Sequence, residues 1–183
     1  ASITSVIYPV FSRLTSDNNM EKLKDSISFI VIILTIILVR LFIVTPVRVD
    51  GPSMNDTLHD GDILLLDKYD NKYERFEIVV FNYNGERLIK RVIGLPGEVI
   101  SYKNNKLYIN GNEIEDNYGL GYTEDFELKD LNLTKIPDNE YLVMGDNRND
   151  SLDSRYFGTI SKDKILGSVK YRLFPFNKFG KVN

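Results

Sequence analysis

The run ISFIVIILTIILV, Ile27 to Val39, is interrupted only by Ser28 and Thr35, and LFIVTPV carries the apolar character past Arg40 to Val47. Taken together, Ile27 to Val47 is 21 residues, about 30 Å as a helix, which matches the hydrocarbon core of a bilayer. It has no polar face, so it is not an amphipathic surface helix, and a chain of 183 residues is too small to hide it inside a core. The sequence therefore predicts one transmembrane anchor over residues 25–46, with Arg40 snorkelling to the interface or marking the exit. A cleavable leader would have a shorter apolar region and a small-residue cut site; Val, Arg, Thr and Pro follow here instead. Arg13, Lys22 and Lys24 precede the run, and Arg40 and Arg48 lie near its far end, a balance that leans toward a cytosolic N-terminus. Residues 1–24 are then a cytosolic extension. Met20 in MEKLKDS reads as a natural start, which makes residues 1–19 an upstream extension or a cloning remnant.

Beyond Asp50 the pattern changes to short runs rich in Val, Ile, Leu, Tyr and Phe between turn signals, which predicts a mainly β domain over residues 47–183. Candidate strands are 62–67, 76–82, 87–94, 98–103, 106–111, 140–145 and 165–174, and Asn104-Asn105 and Asn110-Gly111 have hairpin-turn composition. The more polar segment 114–139 reads as a surface insertion.

Composition removes several chemistries. A formal charge of −3 and a pI near 5.3 offer no cationic field for nucleic acid. With no cysteine there is no disulfide framework or thiolate site. His59 is the only histidine, which excludes zinc sites built on two imidazoles. A Ser-His-Asp triad would have to use His59, only six residues after Ser53 in a turn-rich stretch, and is set aside.

Ser53 lies in VRVDGPSMNDTLHDGD, a context where serine can simply satisfy a turn. As a nucleophile it would need a base, and without histidine that leaves a carboxylate or a lysine. A lysine serves only where desolvation lowers its pKa toward neutrality, so it should sit within a hydrophobic strand. Lys90 does so, between Leu88, Ile89, Val92 and Ile93. The other reading of Lys90 is an edge-strand lysine that guards against aggregation. The stretch GDNRNDSLDSRYFG, 145–158, follows the apolar YLVM and is either a solvated loop or polar support at a strand end.

In chain order, the apolar helix, VDGPSMNDTL, GDILLLDK with FEIVVF, KRVIGLPGE, GDNRNDSLDSRYFG and GSVKYRLFPFNKFG resemble type I signal peptidases, particularly the short Gram-positive branch. The resemblance runs from about Ile27 to the C-terminus. It implies a membrane-bound serine endopeptidase with an antiparallel β catalytic domain on the extracytoplasmic side, cleaving signal peptides from secretory preproteins without metal or cofactor. By position it makes Ser53 the acylating nucleophile, Lys90 the general base and Ser151 the serine that orients the lysine amine. Asp146, Arg91, Asp153 and Arg155 match the residues that brace the site, with Asp146 expected to meet Arg91, and Met54 matches the methionine lining the substrate cleft. Small residues at the first and third positions before the cut are implied for the substrate. Two positions depart from the pattern: Asp56 stands where the family commonly has proline, and Gly51 stands where some members have a serine that helps bind the oxyanion. Only six residues separate Val47 from Ser53, at most about 20 Å of chain, which tethers the serine near the bilayer where a signal peptide presents its cleavage site.

Two rival readings carry different consequences. An inactive membrane-tethered β module that binds peptides needs no intact Ser53, Lys90 and Ser151. A self-cleaving repressor shares the Ser-Lys logic but should carry a DNA-binding helical domain in place of the anchor.

Overall fold

The computed structural model describes residues 20–42, 44–69 and 72–182. The chain divides into two units, Ala1–Ile43 and Val44–Asn183. In the first, Met20–Phe42 form the helix α1. Its large apolar side chains between Ile27 and Leu38 are exposed, Ile33 and Ile37 as well as Phe29 and Ile36. Among the described residues no helix is long and apolar enough to cross a membrane. Residues 1–19 and the side chain of Arg40, with the expectations placed on them, lie outside those described.

The apolar run does not continue as one helix to Val47. Val44–Arg48 form strand β1 instead, paired antiparallel with β2 (Ile63–Asp67). The reason lies in VTPVR: three β-branched residues favour extended backbone, and Pro46 lacks the N–H a helix would use.

The second unit is mainly antiparallel β. Its larger sheet has the order β1, β2, β11 (Ile165–Phe174), β3 (Ile78–Tyr83), β4 (Glu86–Gly94), β9 (Glu140–Met144), β10 (Ile160–Ser161), with β12 (Gly180–Lys181) paired to β11. A smaller sheet runs β7 (Asn112–Ile114), β6 (Lys106–Ile109), β5 (Ile100–Lys103), β8 (Phe126–Glu127). Asn84-Gly85, Asn104-Asn105 and Asn110-Gly111 all have positive φ and close the β3–β4, β5–β6 and β6–β7 hairpins, as two-residue turns that follow strand twist require. Strand β3 starts at Ile78, later than the apolar pattern predicts, because Phe76 has φ 67 and leaves the extended region.

Burial explains the strand patterns. β2 alternates half-buried and buried residues, turning Leu64 and Leu66 into a core shared with Val47, Val49, Met54, Leu58 and Ile89. β3 is buried over Ile78–Phe81 because it lies inside the sheet and both its faces are covered. β4 pairs with β3 from Glu86 to Arg91, but with β9 only from Arg91 onward. Its first half, Glu86 to Lys90, therefore presents an edge with no second strand among the described residues.

Residues 114–139 are not simply a surface insertion. They contain β8 and a 3-10 turn, Leu128–Leu131, and bury Thr123, Phe126, Leu128 and Ile136.

Candidate active site

Ser53 opens a turn that the sequence fastens from below. Asn55 N–H donates to Pro52 O at 2.9 Å and Leu58 N–H to Met54 O at 2.8 Å. Met54 and Leu58 are fully buried in the core and fix how deeply the turn sits. Met54 also lines the cleft beside Ser53, so it forms floor rather than an exposed wall. In the middle of the turn Asp56 has φ 87, which a proline ring, locked near −65°, cannot adopt. Gly51 has φ 86, a conformation in which a side chain would be strained, and its N–H donates to Asp60 Oδ1 at 3.0 Å.

Lys90 lies opposite Val79 on β4 and is 3% exposed. A lysine that guards a sheet edge extends into water; this one does not. Its Nζ lies 2.5 Å from Ser53 Oγ. Burial lowers its pKa from 10.5 to about 8, with Asp153 and Asp146 opposing the shift and Arg155 assisting it. His59 is exposed, and its backbone N–H donates to Asp62 Oδ2.

The loop after β9 reaches the serine from the other side. Asn147 N–H donates to Ser53 O at 3.0 Å, and its Nδ2 to Pro52 O at 3.3 Å. Ser151 Oγ is buried without a hydrogen-bond partner, so a bond from it to Lys90 is not formed. It packs instead against Gly145: a Cβ there would fall 2.2 Å from Ser151 Oγ and 2.5 Å from Ser53 O. Only glycine allows those groups to converge.

Two ion pairs hold this loop. Arg91 meets Asp146 through Nε–Oδ1 at 2.8 Å and Nη2–Oδ2 at 2.6 Å, with the two side chains 1% and 0% exposed. Arg91 Nη1 also donates to Phe76 O, and Nη2 to Thr57 Oγ1 at 3.1 Å. Asp153 caps the short helix α2 (Ser154–Phe157), accepts from Gly145 N–H at 3.0 Å and pairs with Arg155 at 2.9 Å. One carboxylate thereby joins both ends of the loop.

A third pair comes from segment 114–139 and is not foreseen in the sequence. Arg148 is buried, and its Nη2 meets Asp116 at 2.5 Å while Nη1 donates to Thr123 Oγ1 and Tyr102 Oη. Leu120 exchanges backbone bonds with Asp146 O and Arg148 N–H, and Tyr118 lies 3.8 Å below the Arg91 guanidinium. The only signal in the sequence is Arg148 itself, a third arginine near a loop whose two bracing carboxylates are matched to the other two.

Pro46 to Asp50 and Glu86 to Lys90 line a cleft of about 880 Å³ whose floor is Ser53 and Met54. Among the described residues, both flanking segments belong to strand edges without a second partner strand, β1 at the end of the sheet and the first half of β4.

Comparison with known proteins identifies the family of the chain. A family model described as signal peptidase, peptidase S26, matches residues 23–174. The chain belongs to the signal peptidase family. Signal peptidase I of Bacillus amyloliquefaciens is 38% identical over 85% of this chain and 89% of its own. Signal peptidase IB of Staphylococcus aureus strain Mu50 is 40% identical over 87% and 93% respectively. The crystal structure of a signal peptidase I from Enterococcus faecalis V583 superimposes with a TM-score of 0.50 at 38% identity, covering 53% of this chain and 96% of that one. As a signal peptidase, the chain has the antiparallel β architecture of the family.

Proposed function

We propose that the protein is a membrane-bound signal peptidase I that cleaves signal peptides from secretory preproteins, with Ser53 as nucleophile and Lys90 as general base. The observation that carries this reading is the 2.5 Å approach of a buried lysine amine to Ser53 Oγ, with its pKa brought to about 8. At pH 7 roughly a tenth of such an amine is neutral, against about one part in three thousand for an ordinary lysine. A peptide-binding module would have no use for that arrangement.

Ser53 Oγ attacks the scissile carbonyl carbon as its proton passes to Lys90 Nζ. The tetrahedral oxyanion is met by the Ser53 backbone N–H, a donor worth a few kcal/mol. The Lys90 ammonium then protonates the leaving amine as the C–N bond breaks, leaving an ester on Ser53. A water, deprotonated by Lys90, hydrolyses that ester. Ser151 Oγ makes no bond to Lys90 in this structure; its buried hydroxyl has no competing partner, which supports assigning it the role of orienting the amine once it turns toward Nζ. Asp146, Arg91, Asp153 and Arg155 keep the loop and β4 in place, and Met54 lines the floor of the substrate cleft.

The cleft supports an extended substrate, since two strand edges line it and a peptide can add to either by main-chain bonds. The exposed apolar side chains of α1 call for an apolar medium, which supports anchoring of the chain in the cell membrane with the catalytic unit on its extracytoplasmic side. No nucleic acid, metal or cofactor enters the reaction. The test is cleavage of a preprotein by detergent-solubilised protein: Ser53→Ala and Lys90→Ala are expected to abolish it with folding intact. Substantial turnover by Ser53→Ala would exclude this serine as the nucleophile.

A further inference from the structure

The turn that carries Ser53 is gripped at a single residue by two arginines from different strands. Thr57, four residues after the serine, accepts from Arg91 Nη2 at its hydroxyl and from Arg172 Nη2 at its carbonyl. Arg91 belongs to the bracing set already described. Arg172 stands outside that set, on β11, which pairs with β2 and β3.

Arg172 is aimed at the turn by its strand. Against β2, β11 shifts register between Val169 and Tyr171 and again between Arg172 and Phe174, and such bulges re-aim a side chain. The guanidinium is nearly buried, and its Nε lies 3.0 Å from Asp62 Oδ2. That contact is an ion pair without hydrogen-bond alignment; the directional bond of the guanidinium is the one to Thr57. Asp62, also buried, accepts from His59 N–H with the same Oδ2, and its backbone carbonyl accepts from Val49 N–H at 2.8 Å. Arg172 thus ties the far end of the nucleophile turn to the segment at the cleft wall.

The turn requires such a tie. Met54 and Leu58 fix its depth through apolar packing, which is non-directional and leaves its orientation open. Asp56, between Ser53 and Thr57, sits at φ 87, a region that non-glycine residues rarely occupy without outside constraint. No proline stiffens the turn after Ser53; side-chain donors hold it from both sides.

We propose that Arg172 is a positioning residue for the reaction, setting the angle at which Ser53 Oγ meets Lys90 and the scissile carbonyl. This rests on the reading of Ser53 as nucleophile. The experiment compares the full chain in detergent with Arg172→Lys, Arg172→Met and Ser53→Ala, measuring kcat and KM on a preprotein and the pH profile of kcat. All are assayed at a temperature at which near-ultraviolet circular dichroism shows each variant folded. Displacement of a reacting group by about 1 Å costs on the order of a hundredfold, so Arg172→Met is expected to lose about that in kcat. Arg172→Lys, which keeps the charge without the fork, should lose about tenfold. KM should stay within about twofold and the pH midpoint near 8, because the groups that set the Lys90 proton affinity, its burial and Asp153, Asp146 and Arg155, are not changed. Folded Arg172→Met with wild-type kcat, or a loss confined to KM, would overturn the inference. Should Arg172→Met fail to fold, Arg172→Lys with wild-type kcat overturns it equally. In either case an inactive Ser53→Ala leaves the nucleophile reading standing, whereas an active Ser53→Ala removes that reading instead.

Discussion

Replacing Lys90 by methionine should stabilise the protein while destroying its activity. The native state holds the amine 3% exposed with a pKa of about 8, against 10.5 when free. Every tenfold loss of proton affinity on folding corresponds to about 1.36 kcal/mol, so the charged amine costs the fold about 3 kcal/mol at pH 7. Because the folded pKa lies below the unfolded one, the unfolded chain binds more protons between pH 8 and 10.5, and wild-type stability rises with pH across that window. Methionine fills similar volume without charge. It gives up the contact to Ser53, worth about 1 kcal/mol. The net gain should be about 2 kcal/mol at pH 7 and should disappear near pH 10, where the wild-type penalty has itself fallen to about 1 kcal/mol. Urea unfolding of the full chain in detergent at both pH values measures this. A variant less stable than wild type at pH 7, or a difference independent of pH, would refute the idea that desolvation sets the lysine's state.

Gly145→Ala would place a Cβ 2.5 Å from the Ser53 backbone carbonyl, which cannot yield as a side chain can, so the overpacking should cost about 1–3 kcal/mol of stability and kcat of the folded fraction should fall at least about tenfold. Asp116→Asn leaves Arg148 charged and buried without its counter-ion, so stability should drop by about 3 kcal/mol in denaturant titration. Asp146→Ala breaks a pair that is almost wholly withdrawn from water and should cost about 3–5 kcal/mol, with preprotein turnover lost in proportion to unfolding.

Strand positions are legible where the pattern of apolar residues and turns is local: 165–174 matches β11 and the asparagine turns close their hairpins. The end of the helix is misplaced because hydropathy counts VTPV as readily as helix, whereas β-branching and Pro46 assign it to β1. Lysine chemistry demands burial and the sequence around Lys90 supplies it, which marks Lys90 as a candidate base, but an edge-strand lysine reads the same way, and it is the family resemblance that pairs it with Ser53. The roles of Asp116, Tyr118 and Leu120 are hidden, since polar and aromatic residues in a loop look alike whether solvated or folded over two buried arginines. Arg172 escapes notice for a related reason: two bulges in β11 decide where it points, and register shifts leave no mark on composition.

The pH dependence of kcat/KM on a preprotein, measured where the chain stays folded, tests most directly whether a neutral Lys90 is the base. If it is, the rate climbs tenfold per pH unit below a midpoint near 8 and levels above it. A profile flat between about pH 6 and 9, or one still rising past pH 10, would contradict it.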